Sequence, residues 1–249
     1  MSGHSKWHNI RLRKGKQDAE RGKIFTKLAK EVIIAARDGG GNPDINLKLR
    51  LAIQKAKANS MPADNIKRAI QRGTGEIDGV LFEEVIYEGY GPGGVAVMTQ
   101  CLTDNRNRTV AEIRHAFAKL GGNMSESGSV AWQFHAKGMI LIEKDKVDED
   151  TVMNVALEAG AEDVRTEEEY HQIITGFEEF GEVRQKIEDA GLPMESAELT
   201  MIPQNLVLLD AHEANKMIRL MDALEDLDDV QNVYANFDIP DDIFQDAIR

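Results

Sequence analysis

Residues 17–37, QDAERGKIFTKLAKEVIIAAR, place Ile24, Leu28 and Val32 four apart, with Phe25, Ala29 and Ile33 beside them. That spacing predicts an amphipathic helix, which Gly39-Gly40-Gly41 would end. Asn42-Pro43 offers an N-cap and a first-turn proline for a second helix, with Ile45, Leu49, Ala52, Ile53 and Ala56 on its apolar face. Pro62 opens a third helix over PADNIKRAIQR, and Gly73-Thr74-Gly75 stops it. Three short helices with short connections predict a small all-α domain.

After Gly75 the hydrophobic period changes. VIYEGY and GVAVMTQCL read as strands joined at Gly91-Pro92-Gly93-Gly94, a hairpin. NRNRTVAEIRHAFAKLGG follows as a helix with Thr103 or Asp104 as its cap, and SVAWQF reads as a strand. The stretches GMILIEK, DEDTVMNVALEAG, AEDVRT, YHQIITGF, FGEVRQKIEDAG and AELTMIPQ then run β-α-β-β-α-β, a ferredoxin-like order. A last helix within NLVLLDAHEANKMIRLMDALEDL and a strand, VQNVYANF, complete the pattern. The expected fold is α+β. A helical domain over 1–78 carries a flexible N-terminal arm, and a discontinuous α/β domain over 79–136 and 206–249 encloses an inserted ferredoxin-like domain over 137–205.

Charge divides the chain along the same line. Residues 1–72 hold 17 Lys/Arg against 6 Asp/Glu, a net of +11, while 73–249 hold 13 against 37, a net of −24. Such a split predicts one segment that meets a polyanion and another that repels it. The polyanion segment begins with an arm in which Lys6, Arg11, Arg13, Lys14 and Lys16 surround His4, Ser5, Trp7 and His8. The cations can neutralise phosphates, and the rings can stack on exposed bases. The outer faces of the three helices are expected to carry Lys23, Lys27, Lys30, Lys48, Lys55, Lys57, Lys67, Arg68 and Arg72, of which Lys23, Lys27 and Arg68 extend the binding face, and Arg106 and Arg108 in TDNRNRT add an auxiliary anion contact.

Other chemistry finds little support. GYGPGG satisfies the letters of a dinucleotide loop, but a strand follows where the phosphate-binding helix would have to start. Cys101, the only cysteine, has no evident base beside it, excludes an intrachain disulfide and reads as a buried hydrophobe. The close carboxylates in DALEDLDD read as solvated helix ends. No metal, cofactor or catalytic group is expected, and no apolar run reaches the roughly 18 residues of a membrane span. A cytoplasmic protein, expected to be a monomer, follows. An enzyme acting in a cleft between the α/β domains is the alternative.

GHSKWHNI, SMPADNIKRAI, YEGYGPGGVAV, TDNRNRT and GGNMSESGSVAWQF closely resemble segments of the YebC-type proteins. The resemblance implies an all-α domain followed by two α/β domains. It implies a regulator of gene expression with one of two partners. One is promoter DNA, since bacterial members are described as probable transcriptional regulators. The other is rRNA or the ribosome, since some members relieve translational stalling and mitochondrial ones activate translation of a cytochrome oxidase subunit. The Gly-, Trp- and Arg-bearing arm leans towards RNA, whose unpaired bases offer free faces.

If the arm stacks, Trp7→Ala weakens binding to looped RNA by roughly 5- to 150-fold, the equivalent of about 1–3 kcal/mol for one base. The salt slope should stay unchanged and duplex affinity should hardly move. Parallel titrations of wild type and variant against both ligands measure this, and an equal loss on both would exclude stacking.

Overall fold

The computed structural model describes residues 21–167 and 169–239. Three helices come first: α1 (Arg21–Gly39), α2 (Leu47–Ala58) and α3 (Ala63–Gly73). They bury the stripe anticipated from spacing, with Leu28, Val32, Ile33 and Ala36 against Leu49, Ala52, Ala56, Ile66 and Ala69. Alanines at these contacts let the backbones approach closely. At Gly73 a Cβ would lie 2.4 Å from the Ile33 carbonyl oxygen, so α1 and α3 meet there only around a glycine.

The start of α2 differs from the expectation. Asn42 closes a local turn by accepting from the Asp44 amide, and the true N-cap is Asn46, whose Oδ1 accepts from the Leu49 amide. Its Nδ2 also donates to the carbonyls of Ala35 and Gly40. One buried amide thus caps α2 and ties it to the end of α1, a dual role open to Asn46 and not to Asn42.

Strands β1 (Glu83–Tyr90) and β2 (Ala96–Thr103) form the expected hairpin, paired from Glu83↔Thr103 to Tyr90↔Ala96. Its connection is a 3-10 turn over Pro92–Gly94, with Gly93 at φ 71. Helix α4 (Arg106–Lys119) leads to β3 (Asn123–Met124). The chain returns to this sheet only much later, through α7 (Ala211–Glu225) and β9 (Val230–Ala235). The sheet order is β3-β1-β2-β9, antiparallel throughout. Ile113 and Phe117 of α4 and Met217, Met221 and Leu224 of α7 pack against Val97, Cys101, Val233 and Ala235.

Between those halves lie β4 (Phe134–Glu143), α5 (Glu149–Ala159), β5 (Asp163–Thr166), β6 (Tyr170–Thr175), α6 (Phe180–Asp189) and β7 (Ser196–Pro203). Their order in the sheet is β5-β6-β4-β7, every pair antiparallel, which is the split β-α-β arrangement anticipated from the sequence. Two short strands, β8 (Val207–Leu208) and β10 (Phe237–Asp238), pair in parallel beside α7. The second face of the first sheet meets the inserted unit through Met98, Tyr234, Phe134 and Met201.

The stretch SVAWQF is not a strand of the first sheet. Residues 131–133 form a 3-10 turn, and Phe134 already belongs to β4, opposite Pro203. The cause is Glu88, whose buried carboxylate accepts from the amides of Gly128, Val130 and Ala131. Those donors would otherwise need a neighbouring strand, and the side chain replaces it. Burial opposes ionisation of Glu88, but the three amides outweigh it and hold its pKa below the ordinary value.

Asn46→Ala should cost roughly 1–3 kcal/mol, combining a lost cap with unsatisfied buried groups. Urea unfolding reads the total, and amide exchange should show the protection loss concentrated in the first turn of α2 and the last of α1.

Candidate nucleic-acid interface

The residues proposed from sequence separate into three groups. His4, Ser5, Lys6, Trp7, His8, Arg11, Arg13, Lys14 and Lys16 lie outside the described residues. Lys23 and Arg68 sit exposed on the helical domain. Lys27, Arg106 and Arg108 are engaged with acidic or carbonyl groups of their own chain.

Most cations expected on the outer helix faces are exposed there, but Lys30 is buried, drawn inward by the Asp229 carboxylate. Lys48, Arg50 and Lys57 of α2, with Lys67, Arg68 and Arg72 of α3, are exposed, and among the described residues none of their side chains enters an ion pair or hydrogen bond. Their freedom follows from composition: Asp64 is the one acidic residue in either helix. By contrast, Lys55 is paired with Glu31 at 2.8 Å.

The inward cations converge on the loop after α7. Lys30 is buried, and its Nζ donates to Asp229 Oδ1 at 2.8 Å, the Asp228 carbonyl at 3.0 Å and the Leu102 carbonyl at 3.3 Å. An ammonium has three protons, and all three are taken. Lys27, one turn earlier, donates to the Glu225 carbonyl, and burial lowers its pKa against the pull of Glu225, Asp228 and Asp226. Asp229 is itself buried and also receives Arg108 Nη2 at 2.7 Å, Thr109 Oγ1 at 2.8 Å and Thr103 Oγ1 at 3.2 Å. Burial disfavours its charge, but hydrogen bonds from Lys30, Arg108 and Thr109 more than compensate and hold its pKa at about 2.

TDNRNRT therefore has a structural part in this junction. The cap of α4 is Asn105, which accepts from the Arg108 amide, while Thr103 is drawn to Asp229 and Asp104 to the Arg108 guanidinium at 2.7 Å. The bonds to Asp229 and then Asp104 raise the Arg108 pKa. Arg106 pairs with Glu83 at 2.8 Å on the surface. An anion approaching either arginine has to compete with a carboxylate already in place.

Two further features were not anticipated. Asp229 lies in a run of acids whose members look alike in sequence, and only folding shows which one is covered. Trp132 is 64% exposed, its Nε1 donating to the Ser129 carbonyl, although reading SVAWQF as a strand gave it no special place. Cys101 is buried as expected, and burial followed by the Asp229 charge pushes its thiol up to about 12, so it stays protonated near neutrality. Among the described residues no three metal-capable side chains converge and no helix is long and apolar enough to cross a membrane.

Residues 5–76 match the family model described as the TACO1/YebC protein N-terminal domain, and residues 82–237 match the TACO1/YebC second and third domain. A probable transcriptional regulatory protein of Geobacter sulfurreducens is 59% identical over 96% of both chains. Another so named, from Desulforapulum autotrophicum, is 55% identical over 98% of this chain and 99% of its own. The crystal structure of a conserved hypothetical protein from Aquifex aeolicus superposes with a TM-score of 0.83 at 52% identity, covering 91% of this chain and 93% of that one.

Asp229→Asn tests the junction, because it leaves Lys30 buried without a counter-charge and turns an amide donor towards Arg108 or Thr109. The expected cost is roughly 3–5 kcal/mol in chemical denaturation. In the wild type the folded pKa, about 2, lies below the ordinary 3.8. Its stabilisation is therefore full above the ordinary value and disappears as pH falls through about 2. The acid-induced loss should be visibly smaller in the variant.

Proposed function

The chain belongs to the TACO1/YebC family, and within that family we propose that it is a non-enzymatic regulator of gene expression that binds nucleic acid through its helical domain. The observation that carries this reading is the set of six exposed cations on α2 and α3 that have no partner among the described residues, set against a net of −24 over residues 73–249. Phosphate contacts of this kind supply most sequence-independent affinity for nucleic acid. The regulatory role rests on the relatives' shared description.

RNA is the preferred partner, with action as a ribosome-associated translation factor. The cations spread over two helices, a layout suited to an irregular strand more than to one recognition helix laid in a groove. The second reading, a duplex-binding transcriptional regulator, is favoured by the names that the relatives carry.

Titrating the full chain with structured RNA and with duplex DNA over a range of salt tests both. Six phosphate contacts on a duplex correspond to a slope of log K on log salt near −5. Replacing Lys48, Arg50, Lys57 and Lys67 together by Gln should flatten that slope by about 3–4 and weaken all sequences alike, with an unchanged melting temperature. An unaltered slope, or no binding of either ligand at low salt, would sink the proposal, and tighter sequence-specific binding of duplex would favour the transcriptional role.

A further inference from the structure

An open cleft of about 320 Å³ lies between α1, α3 and the segment entering β1. It sits at the small end of the ~300–1,000 Å³ typical of ligand pockets. Phe25, Ala29, Ile33 and Ala69 contribute its apolar surface, and Phe82 adds a second ring. Arg68, Arg72 and Asn65 line it from α3. Among the described residues no Asp or Glu lines this cleft. The arginines stand one turn apart, with Asn65 three residues before the first, so the three share a helical face.

Phe82 is fixed from two sides. Lys30 Nζ lies 5.3 Å from its ring centroid, and Arg37 donates to its carbonyl. Lys30 is itself held by Asp229, which links the aromatic wall to the junction with the first sheet.

We propose that this cleft receives one unpaired base of a single-stranded RNA, with the adjoining phosphates on Arg68 and Arg72. The proposal rests on the nucleic-acid-binding reading above and adds a specific subsite to it. Aromatic rings provide a stacking face for any base, arginines pair bidentately with phosphate oxygens, and an asparagine can read a base edge. Cations over an apolar floor suit a planar ring attached to a polyanion. A free inorganic anion would have no use for the two rings, and a neutral apolar ligand none for the two arginines. A paired base stays in its stack and cannot enter.

The test uses the full chain with a short single-stranded uridine oligonucleotide and a duplex DNA of equal length. Phe25→Leu and Phe82→Leu keep apolar bulk while removing the stacking ring. Each should weaken the single strand by roughly 5- to 150-fold at an unchanged salt slope, leaving duplex affinity unaltered. Arg68→Ala with Arg72→Ala should weaken the same strand and flatten the slope by about 1.4. A photoreactive 4-thiouridine in the strand should crosslink unsubstituted protein at peptides containing Phe25 or Phe82, a readout that needs no variant to fold. Leucine variants that keep their melting temperature and bind the strand like wild type would overturn the subsite, as would crosslinks confined to other peptides. If the wild type still binds nucleic acid in those cases, only the cleft assignment fails. If it binds neither ligand at low salt, the broader functional proposal falls with it.

Discussion

A single buried carboxylate holds the molecule's two chemical halves together. Asp229 joins Lys30 of the helical domain to Arg108, Thr109 and Thr103 of the first sheet and its helix. Burying unlike charges stabilises only when every donor and acceptor is satisfied, because desolvation otherwise outweighs their attraction. Here Lys30 spends its third and second protons on the carbonyls of Leu102 and Asp228, and hydroxyl and guanidinium donors crowd the other carboxylate oxygen. The geometry is therefore demanding as well as favourable. A rotation that broke these contacts would orphan several buried polar groups at once, so the network constrains the docking of the helical domain.

That junction sorts the basic residues by use. On α1, Lys27 and Lys30 are consumed in holding the acidic loop, and Lys55 is occupied by Glu31. On the other exposed faces of α2 and α3, acids are nearly absent and the cations stay open to solvent. The formal charge of the N-terminal segment thus overstates what a polyanion meets, while the location of the free charges is sharper than composition alone suggests. The helical domain also touches the inserted unit, with Leu51 against its core and Gln54 accepting from Arg184 at 2.6 Å. The helical domain is consequently braced against both sheets.

Helices, strands and the inserted βαββαβ order were legible in the sequence because each rests on periodicity over many residues, which a local error does not erase. Single-residue roles were less so. Asn42, Asn46, Thr103, Asp104 and Asn105 are all competent caps, and the choice between them was made by a second bond elsewhere in the fold: Ala35 and Gly40 select Asn46, and Asp229 withdraws Thr103. Glu88 turned a β-like run into a loop by supplying the acceptor that a neighbouring strand would have provided. In DALEDLDD the covered acid could not be told from its exposed neighbours, since burial of Asp229 depends on a lysine 199 residues away.

The same junction bears on why an acidic body accompanies a basic face. Glu225, Asp226 and Asp228 stand close enough to Lys27 to act on its ionisation, so negative charge begins directly where α1 meets the loop. At physiological ionic strength such charges act over about 8 Å. Under the proposed nucleic-acid binding, a polyanion laid across α1 at Lys27 would bring its phosphates into that range. Repulsion of this kind adds nothing to the affinity for the intended target. It lowers the affinity for the many featureless polyanions that compete, and that difference is what selectivity consists of. The carboxylate that ties the helical domain to the first sheet also fixes where those acids stand beside α1, so under the proposed binding one contact would bear on both architecture and discrimination.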